Sequence, residues 1–381
     1  MYFDNAATSY PKPECVPEQM VHYMKNIGAS PGRGTYAAAL KGDQLLYDTR
    51  KAICRLLHIP RASNVVFTAN STEAINLAIK GILQPGDCVA TTAIEHNAVW
   101  RPLKKMEQSR GVSIRTIGVS SDGMLDLDEA RHVLSQGCRL AVFIHGSNVI
   151  GNILPVQELT DLAHQYGALV LLDASQTAGA VSLDLTEIGA DFAAFTGHKG
   201  LMGPTGTGGL YIKDGCILDT LKEGGTGSMS VSPYPPEDPP DRYEAGTVNI
   251  IGIAGLYASV KYISEIGVEK IRLHEQQLIK RLMASLQDVE NIILYGPGAK
   301  EERLGLLSLN IEGMTPYDAA KILDQKYGMM ARAGLHCSPQ AHRAIGTIQT
   351  GTLRISVGWF HTETEIDRLA QALMEIAKEG A

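Results

Sequence analysis

The 381-residue sequence holds only two tryptophans and six phenylalanines, and its six cysteines are scattered without a C-x-x-C pair. That spacing indicates neither a zinc site nor a disulfide framework. Positive charge is also short. With 34 Lys and Arg against 41 Asp and Glu the net charge is −7, the reverse of a nucleic-acid binder's basic footprint. No uninterrupted apolar run approaches the ~18 residues of a membrane span, and MYFDNAAT has no basic region followed by an apolar stretch. A cytoplasmic protein with neither nucleic acid nor membrane as partner is expected. The sequence has no Gly-Lys dipeptide, which excludes a Walker A loop, and no G-x-G-x-x-G that opens a helix after a strand. Its HEQQL stretch lacks the second histidine of a zincin, and no Asp-rich loop resembles a calcium hand, so no metal is expected.

What is present is an ordinary globular composition, 44% hydrophobic and 20% charged, on a chain long enough for a large and a small lobe. Seven short apolar runs recur between about 64 and 214: NVVFTAN, DCVATTAIEH, VSIRTIGV, RLAVFIHGS, ALVLLDAS, DFAAFTGH and GGLYIKD. Several are near-continuous, as strands buried on both faces require, and helical stretches such as STEAINLAIKGIL and VQELTDLAHQYG separate most of them. This rhythm predicts an α/β domain with a mainly parallel seven-stranded sheet. VSPYPPEDPPDRYEAGT, with five of the 17 prolines, reads as a stiff extended loop ahead of a boundary. Residues 16–250 are expected to form the large cofactor-binding domain, and 1–15 with 251–381 a smaller α+β domain.

In an open parallel sheet, ligands bind beyond the carboxyl ends of the strands. The residues predicted there are Ser71, Thr72, Glu95, His96, His145, Asn148, Asp173, Gln176, Thr196, His198 and Lys199. Taken singly, each has a plain structural role, as a helix cap, a rim histidine or a turn lysine. Together they place an amine, a carboxylate, an imidazole, amides and a helix start at one edge. Pyridoxal 5'-phosphate needs that inventory: a lysine amine for its aldehyde, a carboxylate for its ring nitrogen and a helix N-terminus for its phosphate. Lys199, Asp173 and the Ser71-Thr72 helix start meet those needs, with His96 for the ring face and Asn148 and Gln176 for the phenolic oxygen.

The motifs DNAAT, STEAINL, EH at 95–96, GSNVIGN, LLDASQ, TGHKG, YEAGT and RAGLHC stand in the order in which they occur in the cysteine desulfurase and selenocysteine lyase family. The chain resembles that family, of the class V aminotransferase group, over nearly its whole length. The resemblance implies the type I fold of pyridoxal-phosphate enzymes and a set of roles. Lys199 resembles the cofactor lysine, Asp173 the partner of the ring nitrogen, Gln176 the phenolate donor and His96 the stacking imidazole and proton shuttle. Thr72, Thr196 and His198 resemble phosphate ligands, and Thr247 the phosphate contact made from a second subunit, which implies a homodimer. Asn148 and Arg354 resemble the groups that hold the substrate carboxylate. Cys337 falls where the family's group II members carry the cysteine that attacks the substrate sulfur, helped by a cation or imidazole such as His336 or His96. The implied reaction converts L-cysteine to L-alanine and a persulfide on Cys337, bound for a protein sulfur acceptor. L-selenocysteine as substrate, an aminotransferase and a β-eliminating C–S lyase are the alternatives. Thr196 where serine is commoner, and Leu335 and Asn97 where histidines often stand, depart from the pattern.

Overall fold

The computed structural model describes every residue except Arg33, Ser121, Ser230, Gly380 and Ala381. The seven apolar runs form β1 (Val65–Thr68), β2 (Cys88–Thr92), β3 (Ser113–Ile117), β4 (Leu140–Ile144), β5 (Leu169–Asp173), β6 (Phe192–Thr196) and β7 (Gly208–Ile212). They make one sheet in the order β1-β7-β6-β5-β4-β2-β3, parallel except where β7 pairs with β1 and β6. The reversal of β7 follows from its connection. Residues 197–207 are too few for the helical crossover that a parallel strand needs.

β4, β6 and β7 are buried at every position, because helices cover both faces of the sheet. The period of two sorts their side chains: Leu140, Val142, Phe192 and Ala194 join the core beneath the helices Ser71–Ile82 and Asn97–Arg110. Ala141, Phe143, Ala193 and Phe195 join the opposite core, with Leu159, Ile253 and Val260 of the helices Val156–Gln165 and Ile250–Ile266. At the carboxyl edge Asn70 caps the helix Ser71–Ile82 by accepting from Glu73 N–H at 3.0 Å, and Glu73 accepts in return from Ala69 N–H at 2.7 Å. Glu73 thus fixes the start of a helix that opens onto the sheet edge.

A second, antiparallel sheet contains β8 (Ile292–Tyr295), β9 (Leu306–Ile311), β10 (Arg332–Gly334) and β11 (Thr352–Ser356) in the order β10-β11-β9-β8. Phe3 packs in its core, and Tyr2 and Asp4 bridge to Met330 and Ser356. The apolar cores divide later than the expected boundary at 250. The helix Ile250–Ile266 lies with the large sheet, packed on the helices Cys15–Asn26 and Ala37–Leu57, because most of its surface is apolar and only its last turns expose Lys261, Ser264 and Glu265. The change comes within Val268–Leu286, where Ile271 belongs to the first core and Leu278 to the second.

One buried ion pair ties the Pro-rich loop to the large lobe. Arg50 donates to Glu244 at 2.6 Å and to the Val65 carbonyl at 3.1 Å, while Glu244 also accepts from Phe67 N–H at 2.6 Å. Removing one partner of a buried pair leaves the other charge uncompensated, so Glu244→Ala is expected to lower stability by about 3 kcal/mol. Urea unfolding measures it; an unshifted midpoint would show that the pair contributes nothing.

Candidate active site

A cavity of about 320 Å³ opens at the carboxyl edge of the seven-stranded sheet, where the second lobe leans over it. Ser71, Thr72, His96, Asn148, Asp173, Gln176, Thr196, His198 and Lys199 line it from the large lobe, and Cys337 and Arg354 from the small one. Of the candidate residues Glu95 and His145 are buried and do not line it, and Thr247 stands elsewhere, exposed beside a separate cleft that also holds Arg50 and Glu244.

Asp173 closes β5, 2% exposed, and its carboxylate accepts from the N–H of Ser175 at 2.9 Å and from the Ser175 hydroxyl. Burial pushes the Lys199 amine down to about 8, and the Asp173 carboxylate resists that shift. His96 caps the helix Asn97–Arg110 by accepting from Ala98 N–H through Nδ1 at 3.0 Å, which leaves the proton of the neutral ring on Nε2. Its ring is driven down to about 4, first by burial and then by Lys199, so it is neutral at pH 7. A neutral ring of that kind can lie flat against another ring without charge repulsion.

Three groups on the phosphate side of the expected arrangement lack protein partners. The buried Nδ1 of His198 has none, and among the described residues neither the Ser71 nor the Thr72 hydroxyl makes a hydrogen bond that competes with a ligand. The capping role open to Ser71 and Thr72 in the sequence is taken by Asn70. Burial lowers His198 to about 4, with Lys199 and Lys12 adding to it. Lys12 went unnoticed in the sequence. Its Nζ donates to the His198 carbonyl at 3.0 Å, where Ser9 N–H and the Thr8 hydroxyl also donate at 2.9 and 3.0 Å.

Cys337 sits on a tight turn. Ser338 N–H donates to the Leu335 carbonyl at 2.8 Å, and the two residues between, His336 and Cys337, have φ of +48° and +59°. Two successive positive φ values are the mark of a type I′ turn, which non-glycine residues adopt only when surrounding contacts hold them there. Those contacts are present. Asn97 N–H donates to the Cys337 carbonyl at 2.8 Å, Asn148 Nδ2 donates to the His336 carbonyl at 2.8 Å, and Ser338 Oγ donates to Asn148 Oδ1 at 2.7 Å.

Both ends of the Asn148 amide engage the turn, so in this arrangement Asn148 helps to hold Cys337 in place. Burial pushes His336 down to about 2, and its Nε2 lies 3.1 Å from the Thr352 carbonyl, so it is an uncharged imidazole that donates there. The cations at this wall are Arg354 and Arg332, which the β10–β11 register sets opposite each other. Arg332 was missed because RAGLHC draws attention to its cysteine; reading that segment as a strand paired with TLRIS would have found it. Arg354 is 1% exposed, with Nη2 at 2.6 Å from Asp4 and Nη1 donating to the Asn148 carbonyl at 2.9 Å. Its buried Nε has no partner. Gln176 Nε2 donates to the Ala6 carbonyl at 3.0 Å.

Two measurements follow. Competitive acetylation of cofactor-free protein should find Lys199 half-titrated near pH 8. Asp173→Asn removes the negative charge that favours the ammonium, so the midpoint should move lower; a rise would contradict the assignment of that coupling. Asn148→Ala leaves buried groups of the turn unpaired, which is expected to cost about 1–3 kcal/mol and to speed alkylation of Cys337 by iodoacetamide. An unchanged alkylation rate would mean that the turn is held without the amide.

The Aminotransferase class-V family model matches residues 1–369. A relative from Methanothermobacter thermautotrophicus, a probable cysteine desulfurase, is 37% identical, the match covering 100% of this chain and 95% of the relative. A cysteine desulfurase from Haloferax volcanii is 33% identical over 98% of this chain and 88% of its own. Among solved structures, the apo cysteine desulfurase of Thermococcus onnurineus superposes with a TM-score of 0.93 at 32% identity, covering 100% of this chain and 95% of that one. An Escherichia coli cysteine desulfurase in its S-sulfonic acid form gives 0.88 at 26%, covering 99% and 94%. With the family's motifs in order along the sequence and its fold reproduced over the full length, the chain belongs to the class V aminotransferase family, among relatives called cysteine desulfurases.

Proposed function

We propose that the protein is a pyridoxal 5'-phosphate-dependent cysteine desulfurase that converts L-cysteine to L-alanine and carries the sulfur as a persulfide on Cys337. The observation that carries this reading is the shared cavity: Lys199, Asp173 and Cys337 line it together, although 164 residues separate the carboxylate from the thiol.

The donor set fits the cofactor. The unpartnered Nδ1 of His198, the Ser71 and Thr72 hydroxyls and the helix start at Ser71 suit a phosphate, with Thr196 beside them. Asp173 suits a protonated ring nitrogen, the neutral His96 a ring face, and Lys199 an aldehyde. When bound, the cofactor supplies an electron sink for the substrate's Cα. The residues of the chain do the rest. Lys199, with its amine lowered to about 8, is free base often enough near neutral pH to take the Cα proton and return it. Arg354, with Arg332 across the strand pair, offers the guanidinium groups that fit a carboxylate. Cys337 Sγ attacks the substrate sulfur; the S–S bond forms as the substrate's C–S bond breaks, and the carbon takes a proton to give alanine.

In this reading the lobe built on the large sheet binds the cofactor and the smaller lobe brings the cysteine, with the division within Val268–Leu286. Thr247 reaches the phosphate of a second protomer, which makes the enzyme a homodimer, and a protein acceptor takes the sulfur. A cytoplasmic location goes with this reading; no helix among the described residues is long and apolar enough to cross a membrane. Selenocysteine lyase differs only in substrate preference, and comparison of turnover on the two amino acids separates them.

Cys337→Ser tests the proposal. The variant is expected to take up pyridoxal phosphate with the parent's visible absorbance, while alanine formation from L-cysteine and the persulfide on the 337 peptide fall to background. Undiminished sulfur transfer would remove Cys337 as nucleophile. Pyruvate and ammonia in place of alanine from the parent enzyme would make it a β-eliminating lyase.

A further inference from the structure

Cys88 and Cys138 lie at the amino-terminal edge of the sheet, on the far side from the cavity. Cys88 opens β2, Cys138 shortly precedes β4, and their Sγ atoms are 3.1 Å apart. The parallel register makes them meet. Val89 pairs with Leu140, and Arg139 N–H donates to the Cys88 carbonyl at 2.8 Å, which sets Cys138 diagonally across from Cys88. Both are free thiols, and Arg115 Nη1 lies 3.7 Å from Cys138 Sγ, so a cation faces the pair. The exposed Gly86 and Gly137 flank them, and Cys88 itself is partly exposed.

We propose that Cys88 and Cys138 are a redox-active dithiol, oxidised by a small peroxide to a disulfide across β2 and β4 and restored by a reducing thiol. A disulfide requires the two sulfurs to approach by about 1 Å from their present separation. In the first step the Cys88 thiolate, the more accessible of the two, attacks a peroxide oxygen. The O–O bond breaks, one water leaves and Cys88 becomes a sulfenic acid. Cys138 Sγ then attacks the Cys88 sulfur, the S–S bond forms, the S–O bond breaks and a second water leaves. Two thiols lose two electrons and two protons, and hydrogen peroxide gains both to give two waters.

The environment supports this order. Burial, and then Cys88, push the Cys138 thiol up to about 12, while Arg115 opposes them. Oxidation of Cys88 removes its share of that penalty and leaves the cation, so the second thiol becomes a better nucleophile once the first has reacted. The bridge would join the two strands that lead to His96 and Asn148, without entering the cavity.

The test uses the wild-type protein treated with hydrogen peroxide, alkylated and digested without reduction. The expected product is a peptide containing Cys88 joined to one containing Cys138, which dithiothreitol separates, together with a higher thermal midpoint for the oxidised protein than for the reduced. Cys88→Ser should abolish the link and the rise. If both cysteines remain alkylatable thiols while the exposed Cys337 is oxidised, the proposal is wrong.

Discussion

Two opposite charges held at the ends of neighbouring buried strands govern this cavity. Asp173 ends β5, and Lys199 follows β6 in the turn to β7; the parallel register of β5 and β6 therefore fixes how their side chains face one another. Burying either charge alone costs several kcal/mol, roughly, and the amine's lowered proton affinity registers that cost. Asp173 accepts two hydrogen bonds from Ser175, and its carboxylate tempers the loss at Lys199. The result is an amine lowered to about 8 in a shared cavity with a carboxylate, an amine poised for acid–base work near neutral pH.

Cys337 and Arg354 would drift from that pair if the two lobes could slide. The first twelve residues prevent it by touching both. Phe3 is fully buried in the core of the small sheet, Asp4 pairs with Arg354, and Ala6 accepts from Gln176 while its own N–H donates to Ser356. Thr8, Ser9 and Lys12 all donate to the carbonyl of His198, the peptide unit that immediately precedes the Lys199 backbone. Lys12 itself is lowered to about 8 by burial, so its amine is strongly desolvated in making that contact. The first twelve residues thus engage the His198 carbonyl just before the lysine, the arginine and Gln176 at once.

Much of this was legible in the sequence, for a definite reason. Strand ends of a parallel sheet converge on one edge, so a residue's place after an apolar run, as with Asp173 after ALVLL or Lys199 after DFAAF, is already a place in space. Contacts between distant segments carry no such marker. The Asp4–Arg354 pair, the use of Lys12 and the partnership of Asn148 with the 335–338 turn depend on how the lobes dock, which no local period encodes. How far the large core extends is marked no better. A Pro-rich loop signals an interruption in structure, yet the helix after it packs on the large sheet, because most of its surface is apolar.

The turn at Cys337 shows what the docking accomplishes. Two left-handed residues without glycine cost of order 1–3 kcal/mol each, and a free loop would relax them. Here the strain is sustained by hydrogen bonds from Asn97 and Asn148, both anchored on the large lobe, so the thiol's position is set by the lobe that it does not belong to. The same constraint sorts the six cysteines. Cys337 alone among the described cysteines is exposed, on a turn facing two arginines, whereas burial pushes the Cys54 and Cys216 thiols up to about 11. Reactivity is therefore assigned by packing: the thiol on the strained rim is open to a substrate, while those that burial pushes up hold their protons and serve as filling.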